Sequence, residues 1–224
     1  MCLIVVGWQA DPRHRLRVAA NRDEFHGRRA APADFWRDQP GILAGRDLEA
    51  MGTWMGVGRS GRFAAVTNYR GAREPSAEES RGALVSRFLA DGVGASSYII
   101  DVSARASRYS GFNLLVCDRE ELWWMSNRDG APRRLAPGYH YALGNLLLDS
   151  PEVQAIKQRV AQTPPSVEAL FAALSAAKIV DPQYGTRCST VLLDDGKTVR
   201  YAERSFAPDG SEGETVHFQF SAQR

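Results

Sequence analysis

Long hydrophobic runs are missing from this chain. Its 224 residues contain no stretch approaching the ~18 consecutive apolar residues that a membrane-spanning helix needs. The apolar start, Cys2 to Trp8, is short and has no basic segment before it, so it does not read as a secretory signal. A cytoplasmic protein is the expectation. Lysine is scarce, with 3 Lys against 25 Arg, and the net charge is only +2, too small to argue for a nucleic-acid partner. Residues 13–29 nevertheless hold six arginines against Asp23 and Glu24. That segment reads either as a solvated basic strand and loop or as an anion-facing surface.

Cysteine and histidine are few as well. Cys2, Cys117 and Cys188 leave an odd count with no CxxC spacing, so no disulfide framework is expected. His14, His26, His140 and His217 do not pair at metal-ligand spacing, and no metal site is expected. GxSxG, HExxH and CxxCH are all absent. Gly56 to Gly61 fits GxGxxG by letter but sits in a hairpin and opens no helix, which removes the phosphate-binding geometry.

What is present is a succession of short strands. Cys2–Trp8 is a β-branched apolar run, Asp11-Pro12 a turn, and Arg15–Ala20 the returning strand. A long irregular stretch with Pro32, Pro40 and Gly41 is expected next. Thr53–Gly58 and Arg62–Thr67 follow as a hairpin across Ser60-Gly61. Leu84, Val85, Phe88 and Leu89 mark one face of a helix over Glu78–Asp91, and a second helix covers Ala95–Ala106. Phe112–Cys117, Glu121–Ser126 and Tyr139–Gly144 read as strands. Pro151 opens a helix capped by Asp149 or Ser150, and Ser166 caps another bearing Leu170, Phe171 and Leu174. Ser189–Leu193, Val199–Glu203 and Val216–Phe220 complete the strands. Hairpin-linked strands with helices in sequential pairs define an α+β class, not a βαβ repeat. No linker divides the chain, so one domain over residues 1–224 is the simplest expectation.

Position two carries the most chemistry. A small residue there normally permits removal of the initiator methionine, leaving Cys2 with a free α-amine of pKa near 7.7–8. That amine is a local base that activates the thiol without a histidine; the plain alternative is an ordinary strand residue. In Asn21-Arg22-Asp23-Glu24, strand alternation points Asn21 and Asp23 one way and Arg22 and Glu24 the other. Asp23 is placed to hold the Cys2 ammonium, unless the cluster is simply a turn. Asn68 and Asn145 each end a strand, as oxyanion donors or as turn residues. Arg187 precedes a strand as a carboxylate anchor or a surface arginine. Trp54, Trp123 and Trp124 are core or pocket wall.

Several of these segments together resemble a known family. Ala19-Ala20-Asn21-Arg22-Asp23-Glu24-Phe25 matches the four-letter signature of the NRDE family, the transport and Golgi organisation protein 2-like proteins. The likeness extends from Met1-Cys2-Leu3-Ile4 through Ile42–Asp47, Gly52–Val57, Thr67–Gly71 and Arg81–Val85. It continues in Gly111–Leu115, Gly144-Asn145 and Tyr184–Arg187. The pattern is also similar to N-terminal-nucleophile hydrolases of the choloylglycine hydrolase and penicillin V acylase type. That resemblance implies a four-layer αββα sandwich of two antiparallel sheets flanked by helix pairs. It implies Cys2 as nucleophile, Asp23 on the α-amine, Asn68 and Asn145 at the oxyanion, and Arg187 as a structural or substrate arginine. Asn21, Arg22 and Trp54 are expected to contact the substrate. Ala19-Ala20 stand where those hydrolases carry an arginine, and Glu152-Val153-Gln154 replace the usual Trp-Pro-Lys.

The implied activity is cysteine-dependent hydrolysis of a small amide or N-acyl substrate, with no required cofactor. The alternative is a non-enzymatic carrier of haem, acyl-CoA or lipid. For haem, the four scattered histidines identify no axial ligand.

Overall fold

The computed structural model describes residues 2–71 and 77–223. Its first strands are β1 (Leu3–Asp11), β2 (His14–Phe25), β3 (Ala30–Phe35), β4 (Ile42–Asp47), β5 (Met55–Gly58) and β6 (Phe63–Asn68). Helices α1 (Gly82–Ala90) and α2 (Ala95–Ala104) follow. Then come β7 (Phe112–Cys117), β8 (Leu122–Ser126), β9 (Arg133–Leu135) and β10 (Tyr139–Leu143). Helices α3 (Gln154–Gln162) and α4 (Val167–Leu174) precede β11 (Tyr184–Asp194), β12 (Thr198–Phe206) and β13 (Glu212–Ser221). These elements form two compact units.

The first unit is a six-stranded antiparallel sheet in the order β10-β1-β2-β11-β12-β13. Leu3, Val5, Ala19, Val191, Leu193 and Ala202 pack from the sheet against Val153, Val160, Leu170, Phe171 and Leu174 of the α3–α4 region. Each fully buried large apolar side chain contributes about 1.5–3 kcal/mol. The opposite face of the sheet is also apolar and buried at Ile4, Val6, Trp8, Leu16, Val18, Leu192 and Tyr201. Strands buried on both faces lose polar–apolar alternation, which is why β1 reads as a continuous apolar run.

The second unit is a seven-stranded antiparallel meander, β3 through β9 in sequence order. Ile42, Ala44, Ala64, Val66, Leu114 and Val116 pack against Leu84, Val85, Phe88, Ile99 and Val102 of α1 and α2. The α+β class and the pairing of helices with antiparallel sheets are therefore as expected from the sequence.

Several boundaries differ from the sequence reading. The stretch expected to be irregular contains β3 and β4. β3 is an edge strand, and its register shifts between Ala31 and Asp34, around Pro32. A proline at an edge or a bulge removes no ladder hydrogen bond. β9, three residues at the other edge, is too short to show a period. The helix expected from Glu78 begins at Gly82; Glu78 and Glu79 instead pair with Arg108, and Glu79 also pairs with Arg87. Pro151 opens a 3₁₀ turn before α3, and Ser150 supplies no side-chain cap. Asp149 is occupied elsewhere, accepting from Ala142 N and pairing with Lys157, each at 2.8 Å. Ser166 caps α4 as expected, accepting from Ala169 N at 3.4 Å.

Candidate active site

β2 continues without a break through Asn21-Arg22-Asp23-Glu24, between β1 and β11. The antiparallel register Leu3↔Asn21 places Cys2, just before β1, opposite Arg22. Cys2 is half-buried and its thiol donates to the main-chain oxygen of Asp23 at 3.4 Å. The same oxygen accepts from Tyr184 Oη at 3.2 Å. Burial pushes the Cys2 thiol pKa up, and the neighbouring Asp23 carboxylate adds to that. A neutral thiol awaiting a base fits these surroundings better than a standing thiolate. Met1, whose removal the sequence reading expects, lies outside the described residues.

Asp23 is buried, and Thr186 Oγ1 donates to its Oδ1 at 2.6 Å. Burial raises the Asp23 pKa, while the Thr186 hydrogen bond opposes the rise. Asn21, two residues earlier, uses both ends of its amide. Nδ2 donates to Leu174 O at 3.2 Å and Oδ1 accepts from Ser189 Oγ at 2.6 Å. That seam ties β2 to the end of α4. Arg22 turns the other way and meets Glu24 at 3.6 Å. Cys188, opposite Arg22, is buried, and burial followed by the Glu203 charge holds its thiol pKa well above the ordinary value.

Arg187 occupies an irregular position. The β2–β11 register runs Ser189↔Asn21, Cys188↔Arg22 and then Thr186↔Asp23, so Arg187 is the extra residue of a bulge. Its Nη1 lies 3.0, 3.1 and 3.2 Å from the carbonyl oxygens of Phe25, His26 and Arg28. The guanidinium thus gathers the loop that leaves β2. Phe25, half-exposed at 60%, stacks edge-on against Tyr184 with ring centroids 5.2 Å apart.

In the second unit Asn68, the last residue of β6, meets Asn145, which lies in the loop two residues beyond β10 and not at a strand end as the sequence suggests. Asn145 Nδ2 donates to Asn68 O at 2.7 Å, and Arg70 N donates to Asn145 O at 2.6 Å. The loop carrying Asn145 is held by buried Asn113, whose Nδ2 donates to Leu146 O at 2.9 Å and to Thr67 Oγ1 at 3.2 Å. Trp54 lies on β4: a Cβ at Gly45 would sit 2.3 Å from its Cη2, so only glycine leaves room for the ring. Gly52 and Gly82 touch in the same manner, backbone to backbone, with Thr53 N donating to Gly82 O at 3.3 Å.

Thr186, Tyr184 and Asn113 were not singled out from sequence as site residues. All three lie within matched motifs, Tyr184 and Thr186 in Tyr184–Arg187 and Asn113 in Gly111–Leu115, and that placement is the only signal the sequence carries.

The fold belongs to a recognisable class. The chain aligns with the N-acylethanolamine-hydrolyzing acid amidase orthologue of Caenorhabditis elegans at a TM-score of 0.54. Identity is 12%, with 86% of this chain and 92% of that one covered. It aligns with the C2A mutant of the conjugated bile acid hydrolase from Clostridium perfringens at a TM-score of 0.54 and 9% identity, covering 99% and 98%. This is the fold of the N-terminal-nucleophile hydrolases.

Residues 1–172 match the family model for transport and Golgi organisation 2, and the chain belongs to that family. The transport and Golgi organization protein 2 homologues of Bos taurus and Homo sapiens are each 33% identical to it over 278 aligned residues, covering 100% of both chains. The Drosophila melanogaster protein is 29% identical over 172 residues, covering 67% of this chain and 60% of its own.

Proposed function

We propose that this chain is a cysteine-dependent amidohydrolase acting on a small amide or N-acyl substrate in the cytosol, with Cys2 as nucleophile once Met1 has been removed. The observation that carries the reading is the junction of Cys2 and Asp23. Strand pairing brings the thiol onto the Asp23 main chain and a buried carboxylate beside it.

In this reading the Cys2 α-amine takes the thiol proton as Sγ attacks the substrate carbonyl carbon. A C–S bond forms, and the carbonyl π electrons move onto oxygen. The family resemblance assigns the donors for that oxyanion to Asn68 and Asn145. The ammonium then protonates the leaving nitrogen as the C–N bond breaks. Water, deprotonated by the same amine, cleaves the thioester and returns the thiol. Asp23 holds the ammonium that forms between these steps. Arg22 and Trp54 are the expected substrate contacts; Asn21, expected to join them, has both ends of its amide bonded to Leu174 O and Ser189 Oγ, and with Arg187 it holds the frame. The relatives in fold lend support: two are hydrolases by name, and one was crystallised with its position-two cysteine changed to alanine.

The test is turnover of a panel of N-acyl amides, followed by release of free amine, for the wild type and Cys2→Ala. The reading requires turnover that disappears in Cys2→Ala while the circular dichroism is unchanged. Equal turnover in both proteins rejects it. No turnover by either, with saturable binding of haemin or acyl-CoA at stoichiometric concentration, selects the carrier alternative.

A further inference from the structure

Strict alternation along β11 would put residues 186 and 189 on opposite faces of the sheet. The bulge cancels that. With Arg187 as the extra residue, Thr186 stands opposite Asp23 and Ser189 opposite Asn21, and both hydroxyls reach the face that Asn21 and Asp23 share.

The Thr186 hydroxyl has a fixed orientation. Its oxygen accepts from Ile179 N at 2.9 Å, and Thr186 N donates to Ile179 O at 2.9 Å, so the residue is clamped at main chain and side chain. With the incoming Ile179 N–H on its oxygen, the hydroxyl hydrogen points to Asp23 Oδ1. A donor fixed in this sense favours an ionised carboxylate over a protonated one. Burial alone would drive Asp23 the other way. The groups that face this carboxylate are Cys2, just before β1, Arg22 on its own strand, and Thr186 from β11; Tyr184 Oη bonds to the Asp23 main-chain oxygen instead.

We infer that Thr186 is a positioning residue: it keeps the Asp23 carboxylate ionised and fixed in orientation beside Cys2, and the bulge at Arg187 exists to deliver it there. The consequence for turnover rests on the hydrolase reading. The consequence for Asp23 does not.

The experiment follows the Asp23 carboxyl carbon by NMR in aspartate-labelled protein, with the resonance assigned through Asp23→Asn. Thr186→Val keeps the shape and removes the donor. Its loss raises the pH at which Asp23 titrates by about one to two units. Thr186→Ser restores the wild-type titration. If the valine variant does not fold, Thr186→Ala makes the same comparison. An Asp23 titration that is the same in wild type and in Thr186→Val or Thr186→Ala overturns the inference. Turnover of N-acyl amides is measured on the same proteins, and kcat falls about tenfold in Thr186→Val with KM little changed. A shifted Asp23 titration in a protein that hydrolyses no amide supports the positioning role and rejects the hydrolase. An unshifted titration in an active enzyme does the reverse.

Discussion

Asn145 reaches across 77 residues of sequence to donate its side-chain amide to the main-chain oxygen of Asn68 at 2.7 Å. The return bond, Arg70 N to Asn145 O, makes the pair a two-point clasp between the end of β6 and the loop after β10. Asn145→Ala opens the clasp and costs about 0.5–1.5 kcal/mol in stability, read by urea denaturation. If the pair also serves the oxyanion, turnover falls by about 100-fold or more, well beyond what the stability loss explains. Asn68→Ala leaves the clasp intact, because the bond is to its main chain. It therefore separates the two roles: turnover falls and stability does not.

Arg187 predicts a different balance. Its Nη1 serves three carbonyl oxygens at the exit of β2. Arg187→Ala strands those oxygens and lowers stability by about 1–3 kcal/mol, measured by urea denaturation. Arg187→Lys recovers only part, since an ammonium cannot reproduce the guanidinium's planar fork.

Asp23 carries a pH-dependent cost in stability. Burial lifts its folded pKa above the ordinary value of 3.8. Below the unfolded pKa both states are protonated and folding keeps its full stability. As the pH rises through the folded pKa, the buried group must ionise and stability is lost. Asp23→Asn retains an acceptor for Thr186 and escapes that loss. The variant should be more stable than wild type near pH 7, and the difference should close below about pH 4. Thermal melts across that range read the difference, while Cys2-dependent turnover is lost throughout.

His140 shows the opposite sign. Its Nε2 lies 3.0 Å from Arg17 Nη2, and a Cβ on Gly7 would come within 2.9 Å of the ring. Burial, then the charges of Arg17 and Lys157, lowers its pKa below 6.5. The unfolded chain takes up a proton first as the pH falls. Stability is full above the unfolded pKa and declines as the pH drops toward the folded one. Urea midpoints between about pH 7.5 and 5 should fall for wild type and fall less for His140→Gln.

Local composition made much of this legible in sequence. Phe112–Cys117 is a strand at the expected bounds because Phe112 and the run Leu114–Cys117 are apolar and too short for a helix, with Asn113 the one polar residue among them. The alternation read into Asn21-Arg22-Asp23-Glu24 is realised: Asn21 and Asp23 bond to Ser189 and Thr186, and Arg22 pairs with Glu24. The meeting of Asn68 and Asn145 depends on a loop that Asn113 holds from another strand, which no local pattern encodes. Thr186 escaped notice for a related reason. A bulge changes which residues share a face, and nothing in Thr-Arg-Cys-Ser announces one. β3 was hidden because Pro32 is a breaker everywhere except at an edge or a bulge.

The most direct measurement is the intact mass of the purified protein before and after a thiol-reactive acylating probe. The account predicts a mass lacking Met1 and a single acyl adduct that maps to Cys2, with Cys117 and Cys188 unlabelled in their buried positions. A mass that retains Met1, or a Cys2 that takes no acyl group, contradicts an N-terminal nucleophile.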